Sequence, residues 1–123
     1  MLELGPIKEK SEIKSIFEEK GIAFSENSGC VKAKNAEKTE GLCLYELTKE
    51  KITIFYIEPI NDIPLADGIL RSTLHVAAEK SIMSAFYADE MNEEFLEKIG
   101  FIKSKSDKSL DIDKLFKSCC GCN

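Results

Sequence analysis

The sequence has no tryptophan, only three prolines and a single histidine, His75. No apolar run approaches the length of a membrane span, which argues against insertion in a bilayer. The opening Met1-Leu2-Glu3-Leu4-Gly5-Pro6 lacks the basic start and apolar stretch of a signal peptide. Basic residues are not in excess: 17 Lys and Arg face 22 Asp and Glu, for a net charge of −5. The lysines are scattered among carboxylates, so there is no basic stripe to follow a nucleic-acid backbone. These absences lead us to expect a cytoplasmic protein with reduced thiols, without nucleic acid or membrane as partner. There is also no internal repeat and no low-complexity linker. With 123 residues, 43% hydrophobic and 32% charged, the chain reads as one domain, 1–123, with a genuine core.

What is present reads as an α+β chain. Leu2 to Ile7 suggests a short edge strand ended by Gly5-Pro6. Ser11 to Lys20 predicts a helix capped by Ser11, with Ile13, Ile16 and Phe17 on one face and Gly21 as its stop. Cys30 to Lys34 alternates like a half-buried strand, and Asn35 to Glu40 is a polar turn. Leu42 to Leu47 and Ile52 to Ile57, joined by Thr48-Lys49-Glu50-Lys51, predict a hairpin.

The period then changes. Leu65, Ile69, Thr73, Val76 and Ala77 recur at helical spacing between Pro64 and Lys80. Arg71, His75 and Glu79 fall four apart on the opposite, solvated face. Ile82 to Tyr87 predicts another strand, Glu93 to Lys98 a short helix closed by Gly100, and Phe101-Ile102 the start of a further strand. Leu110 to Phe116 is compatible with a strand or a helical turn. Ile52 to Tyr87 has the length of a strand–helix–strand crossover, whose two strands should be parallel neighbours. A mixed sheet, mainly antiparallel, with flanking helices follows. Gly68 is expected at the crossover's strand-to-helix junction.

Strand alternation puts Tyr56 and Glu58 on one face with Ile52 and Ile54. Glu58, at the strand's end, is the best available general base, with Tyr56 beside it. Tyr45, Glu46 and Tyr87 are further polar candidates near the same end of the sheet. His75, between Arg71 and Glu79, reads as a solvated side chain rather than a catalytic one.

The segments "ITIFYIEPINDIPLADGILRSTLHVAAEKSIMSAFY" and "NEEFLEKIGFIKS" resemble the GNAT acyltransferase family over about residues 29–102. The resemblance implies an acyl-CoA-dependent N-acetyltransferase that modifies a small-molecule or peptide amine. It implies that acetyl-CoA enters where the fourth strand splays from the fifth, its pantetheine arm along Ile57, Pro59 and Ile60. The diphosphate would then sit on the amides of Ala66, Asp67, Gly68, Ile69 and Leu70. Of the family's Gln/Arg-x-x-Gly-x-Gly/Ala signature, Gly68 is kept, while Leu65 and Leu70 stand at the flanking positions. Leu96 stands where a general-acid tyrosine is common. These departures motivate a second reading, a non-catalytic module of the same fold acting as sensor or scaffold. A homodimer is left open by the sheet edges.

Cys119, Cys120 and Cys122 crowd the last five residues. Three thiolates so close suit zinc or another soft metal, with Cys30, Cys43, His75 or a neighbouring chain as the fourth ligand. A redox-active tail and a functionless end are the other readings of this segment, and a metal- or thiol-binding protein is the third function considered.

Overall fold

A computed structural model describes residues 2–117. In chain order the elements are β1 (Leu2–Pro6), α1 (Lys10–Glu19), β2 (Ser28–Asn35), β3 (Lys38–Leu47), β4 (Ile52–Glu58), α2 (Ile63–Ala78), β5 (Ala85–Tyr87), α3 (Glu93–Lys98), β6 (Ile102–Ser104), β7 (Ser109–Leu110) and α4 (Lys114–Lys117). The strands form one sheet in the order β1-β2-β3-β4-β5-β7-β6. Every neighbouring pair is antiparallel except β4 and β5, which run parallel through the α2 crossover. Among the described residues, no helix is long and apolar enough to cross a membrane.

Two apolar clusters cover the two faces of the sheet. On one face Ile13 and Phe17 of α1 pack over Cys30, Leu42 and Leu44. On the other, Ile69, Leu70, Leu74 and Ala77 of α2 pack over Val31, Cys43, Ile52 and Ile54, joined by Phe95 and Leu96 of α3. Adjacent residues of β2 and β3 therefore supply opposite clusters. The alternation expected in β2 is present from Val31, with Val31 and Ala33 buried and Lys32 and Lys34 half-buried, while Cys30 is buried in the cluster on the opposite face.

Local chemistry sets the boundaries. α1 begins one residue before the expected cap; its N-cap position is Glu9, with no side-chain bond, and Ser11 lies inside the helix. Gly21 and Gly100 follow α1 and α3 at φ of 72° and 76°, the left-handed conformation that ends a helix cheaply only at glycine. The turn after β2 is shorter than its polar sequence implies, since Lys38 already pairs with Asn35. Ile82 to Ser84 are not strand: the Ile82 N–H closes back on Ala77 O at 2.9 Å, and only Ala85 to Tyr87 join the sheet. The ambiguous segment near residue 110 is both things in succession. Ser109–Leu110 forms β7, inserted between β5 and β6, and Lys114–Lys117 forms α4.

Candidate functional site

The β4–β5 pairing is short. Ile52, Thr53 and Ile54 pair with Ala85, Phe86 and Tyr87, and the Ala88 N–H donates to Ile54 O at 2.9 Å. Beyond that bond the two chains separate. β4 continues to Glu58, with no strand among the described residues beside it on that side, while the segment after β5 turns through Glu90 to Asn92 into α3, where Asn92 Oδ1 accepts from Phe95 N at 3.0 Å. The gap opens into a cavity of about 640 Å³. Phe55, Tyr56 and Ile57 form its β4 wall. Met91 and Phe95 form the facing wall, and the segment after α1, Gly21 to Ser25, closes the third side.

An irregularity in β4 decides which side chains face this cavity. Leu44 pairs with Tyr56 but Tyr45 pairs with Ile54, so Phe55 is an extra residue opposite no partner. Such a bulge reverses the alternation beyond it. Ile52 and Ile54 face the α2 side, as does Ile57, whereas Phe55 and Tyr56 pack on the α1 side. The expectation that Tyr56 and Glu58 share a face with Ile52 and Ile54 is thereby corrected. Without the bulge, Tyr56 would lie in the α2 core.

Tyr56, Glu58 and Lys20 form one cluster. The Tyr56 hydroxyl donates to Glu58 Oε1. Lys20 Nζ, from the end of α1, donates to the same oxygen at 3.0 Å and lies 5.2 Å from the Tyr56 ring centroid. Burial pushes the Glu58 carboxyl up, but hydrogen bonds from Tyr56 and Lys20 outweigh it and hold the group below its ordinary value. The same bond to Glu58 raises Tyr56, with burial adding to it, and raises Lys20. At neutral pH the cluster is therefore a carboxylate, a neutral phenol and an ammonium. Tyr56 and Lys20, the two partners of Glu58, both line the cavity, and Glu58 is not among its lining residues.

Compared as a sequence, the chain matches no family model and none of the curated proteins. Solved structures do match. The chain is similar to Tetrahymena GCN5, with a TM-score of 0.63 at 12% identity, over 83% of this chain and 80% of that one. It is similar to the ribosomal-protein-S18-alanine N-acetyltransferase of Escherichia coli, with a TM-score of 0.61 at 11% identity, over 89% and 88%. An aminoglycoside acetyltransferase from an uncultured soil metagenomic sample matches with a TM-score of 0.56 at 13% identity, over 79% and 84%.

The chain has the GNAT fold.

Within that GNAT fold, the start of α2 differs from the sequence expectation. Gly68 is not at the junction: it is the sixth residue of a helix that begins at Ile63. The Ala66 N–H already donates to Asp62 O at 2.9 Å, and the Leu65 N–H to Asp62 Oδ1 at 3.2 Å. Pro64, the second residue, has no N–H to offer. The amides of Asp67, Gly68, Ile69 and Leu70 lie inside the helical ladder, and Ala66, Ile69 and Leu70 are fully buried. The Asp67 carboxylate accepts from Arg71 Nε at 2.8 Å. A diphosphate, which needs free main-chain donors, does not fit these residues. The acyl-bearing end of a thioester does fit. Ile57 and Ile60 line the cavity, Pro59 lies between them in the chain, and among the described residues no strand pairs with β4 on this side beyond Ile54.

The other candidates separate. Tyr45 is buried in the α2-side cluster, with its hydroxyl pushed up to about 12 by burial. Tyr87 is buried in the same cluster and donates to Glu93 Oε2 at 2.7 Å, so it too is drawn away from the cavity. Glu46 does line the cavity, accepting from Ser25 Oγ at 3.0 Å. His75 is exposed, its ring 6.4 Å from that of Phe116. Cys30 and Cys43 are buried free thiols in different clusters, each raised to about 12 chiefly by burial. No group of three or more His, Cys, Asp or Glu among the described residues could hold a metal ion. Cys119, Cys120 and Cys122 lie outside the described residues.

Sequence reasoning missed Lys20, the wall from Gly21 to Ser25, and Glu90 to Asn92. Lys20 and Glu58 are 38 residues apart, and no local pattern announces their pairing. The bulge did leave a trace: Phe55-Tyr56-Ile57 is too continuously apolar for strict alternation.

Proposed function

We propose that the cleft between β4 and β5 is the site of acyl transfer from a thioester to an amine, with acetyl-CoA as the donor. The observation that carries this reading is the parting of β4 from β5 after Ile54 and Tyr87, which opens a cavity walled by Tyr56, itself bonded to Glu58. The donor supplies an electrophilic thioester carbonyl. Its arm lies along Ile57, Pro59 and Ile60, and main-chain N–H groups on the open edge of β4 polarise the carbonyl. An amine entering beside Tyr56 attacks that carbon, forming the C–N bond as the C–S bond breaks. The amine proton passes to the Tyr56 oxygen while the Tyr56 proton passes to Glu58. The departing thiolate then takes up the proton held on Glu58, relayed back through the Tyr56 hydroxyl, which returns the cluster to its starting state. Lys20 orients Glu58 and keeps it ionised to receive the proton.

Thiol release from acetyl-CoA, measured with and without a panel of amines, tests this reading. Amine-dependent release supports it; release no faster than spontaneous hydrolysis with every amine sinks it. A second reading, a non-catalytic module of the same fold, is favoured by the start of α2, where Asp62, Pro64 and Asp67 replace the free donors that a diphosphate would use.

A further inference from the structure

Accepting the acyl-transfer reading, we infer that the acceptor is an aliphatic primary amine carrying a second positive charge and no carboxylate. The argument rests on the cavity's charge and shape. Glu46, on β3, and Glu90, on the loop before α3, both line it. The only cation among its described lining residues is Lys20, whose ammonium is already bonded to Glu58 at 3.0 Å. Among the described lining residues these two carboxylates have no cation of their own, and although Glu46 is half-buried and Glu90 exposed, their charge at the rim favours a cationic ligand over an anionic one. The Glu46 carboxylate is held in place by Ser25 Oγ at 3.0 Å. Between the charged groups the walls are Phe24, Phe55, Met91 and Phe95, which suit a methylene chain and offer ring faces to a cation. One ammonium of such a molecule, having given its proton to bulk water, becomes the nucleophile beside Tyr56, and the second pairs with Glu46 or Glu90. An amino acid would bring its carboxylate against these groups, with no free cation among the described lining residues to meet it.

Cadaverine and spermidine, n-hexylamine, and glutamate separate the classes, as a dication or trication, a monocation and a carboxylate-bearing amine of comparable reach. We expect kcat/KM for the polycations to exceed that of n-hexylamine by about tenfold at low salt, the gap closing near 0.5 M salt as screening shortens to a few ångströms. The double variant E46Q/E90Q should raise the cadaverine KM by about fivefold with little change in kcat, which distinguishes charge recognition from a damaged site. Equal use of n-hexylamine, or preference for glutamate, overturns the inference and leaves acyl transfer standing. If no amine is acetylated, the acyl-transfer reading falls instead. Calorimetry of spermidine without any donor then decides the charge argument: heat that E46Q/E90Q abolishes supports it, and no heat overturns it.

Discussion

Replacing Gly68 with alanine separates two accounts of this glycine. If it exists so that a phosphate can approach the backbone, a methyl group there blocks binding. If α2 simply tolerates it, a methyl group helps. Gly68 is the sixth residue of α2, and an added Cβ meets only Leu4 Cδ1, at 3.9 Å, an ordinary contact. A glycine inside a helix is less favourable than alanine by about 0.8–1.0 kcal/mol, and compatible Gly-to-Ala changes measured in proteins give about 0.4–1 kcal/mol. Gly68→Ala should therefore stabilise the fold by about 0.5–1 kcal/mol, or roughly 2–6 °C in Tm for a chain of this size. Urea and thermal unfolding followed by circular dichroism would measure it, with thiol release assayed on the same samples. We expect a raised Tm and unchanged release. A lowered Tm would refute the packing argument. Normal stability with lost release would show that ligand does approach this backbone, against the bonding pattern at Asp62.

The opposite outcome is expected at Gly41, where an added Cβ would lie 2.6 Å from Glu58 O, 2.7 Å from Ile69 Cδ1 and 2.9 Å from Pro59 Cδ. Gly41→Ala should destabilise by about 1–3 kcal/mol and displace the end of β4, read as a lower denaturation midpoint and lost thiol release; a midpoint unchanged from wild type would contradict the close approach. The Lys20–Glu58 pair gives a pH-dependent term. Glu58 is lowered from 4.5 and Lys20 raised from 10.5, so the pair contributes fully between those ordinary values. Its contribution is lost as pH falls through the lowered Glu58 value, and again as pH rises through the raised Lys20 value. Because Glu58 is 37% exposed, Lys20→Met should cost only about 0.5 kcal/mol at neutral pH, and nothing in strong acid. A difference that persists undiminished in acid would show that the lysine acts through packing rather than charge. The engaged start of α2 predicts that S-acetylpantetheine serves as donor within about threefold of acetyl-CoA in kcat/KM, since threefold is less than 1 kcal/mol. A much larger advantage for acetyl-CoA would locate a diphosphate grip elsewhere on the surface.

How far the sequence could be read depended on whether each feature is local. The helical period from Leu65 to Ala77 is a repeating burial pattern, so α2 and the crossover were visible, and with them the parallel pairing of β4 and β5. The strong apolar runs gave the β3–β4 hairpin for the same reason. A helix from Pro64 is within one residue of the observed start at Ile63, but Gly68 is no junction, because Asp62, three residues before Leu65, is the cap and Gly68 falls in the second turn. Glu58 and Tyr56 were found as candidates, yet their facing was wrong, because one extra residue at Phe55 flips every side chain after it. Lys20 and Ser25 reach the cleft only through the packing of α1 on β2, β3 and β4, a tertiary fact with no sequence spacing. The order of β6 and β7 is hidden for a similar reason: two- and three-residue strands carry too little pattern to reveal their neighbours.

The most direct test of a cleft in which Glu58 and Tyr56 move the amine proton is kcat for thiol release in Tyr56→Phe and Glu58→Gln, with circular dichroism confirming the fold. Each variant should fall by about 100-fold, the lower range for a positioned acid–base group, and the double variant should fall no further than either alone. Wild-type kcat in both single variants would contradict the account and leave the β4–β5 opening without its chemistry.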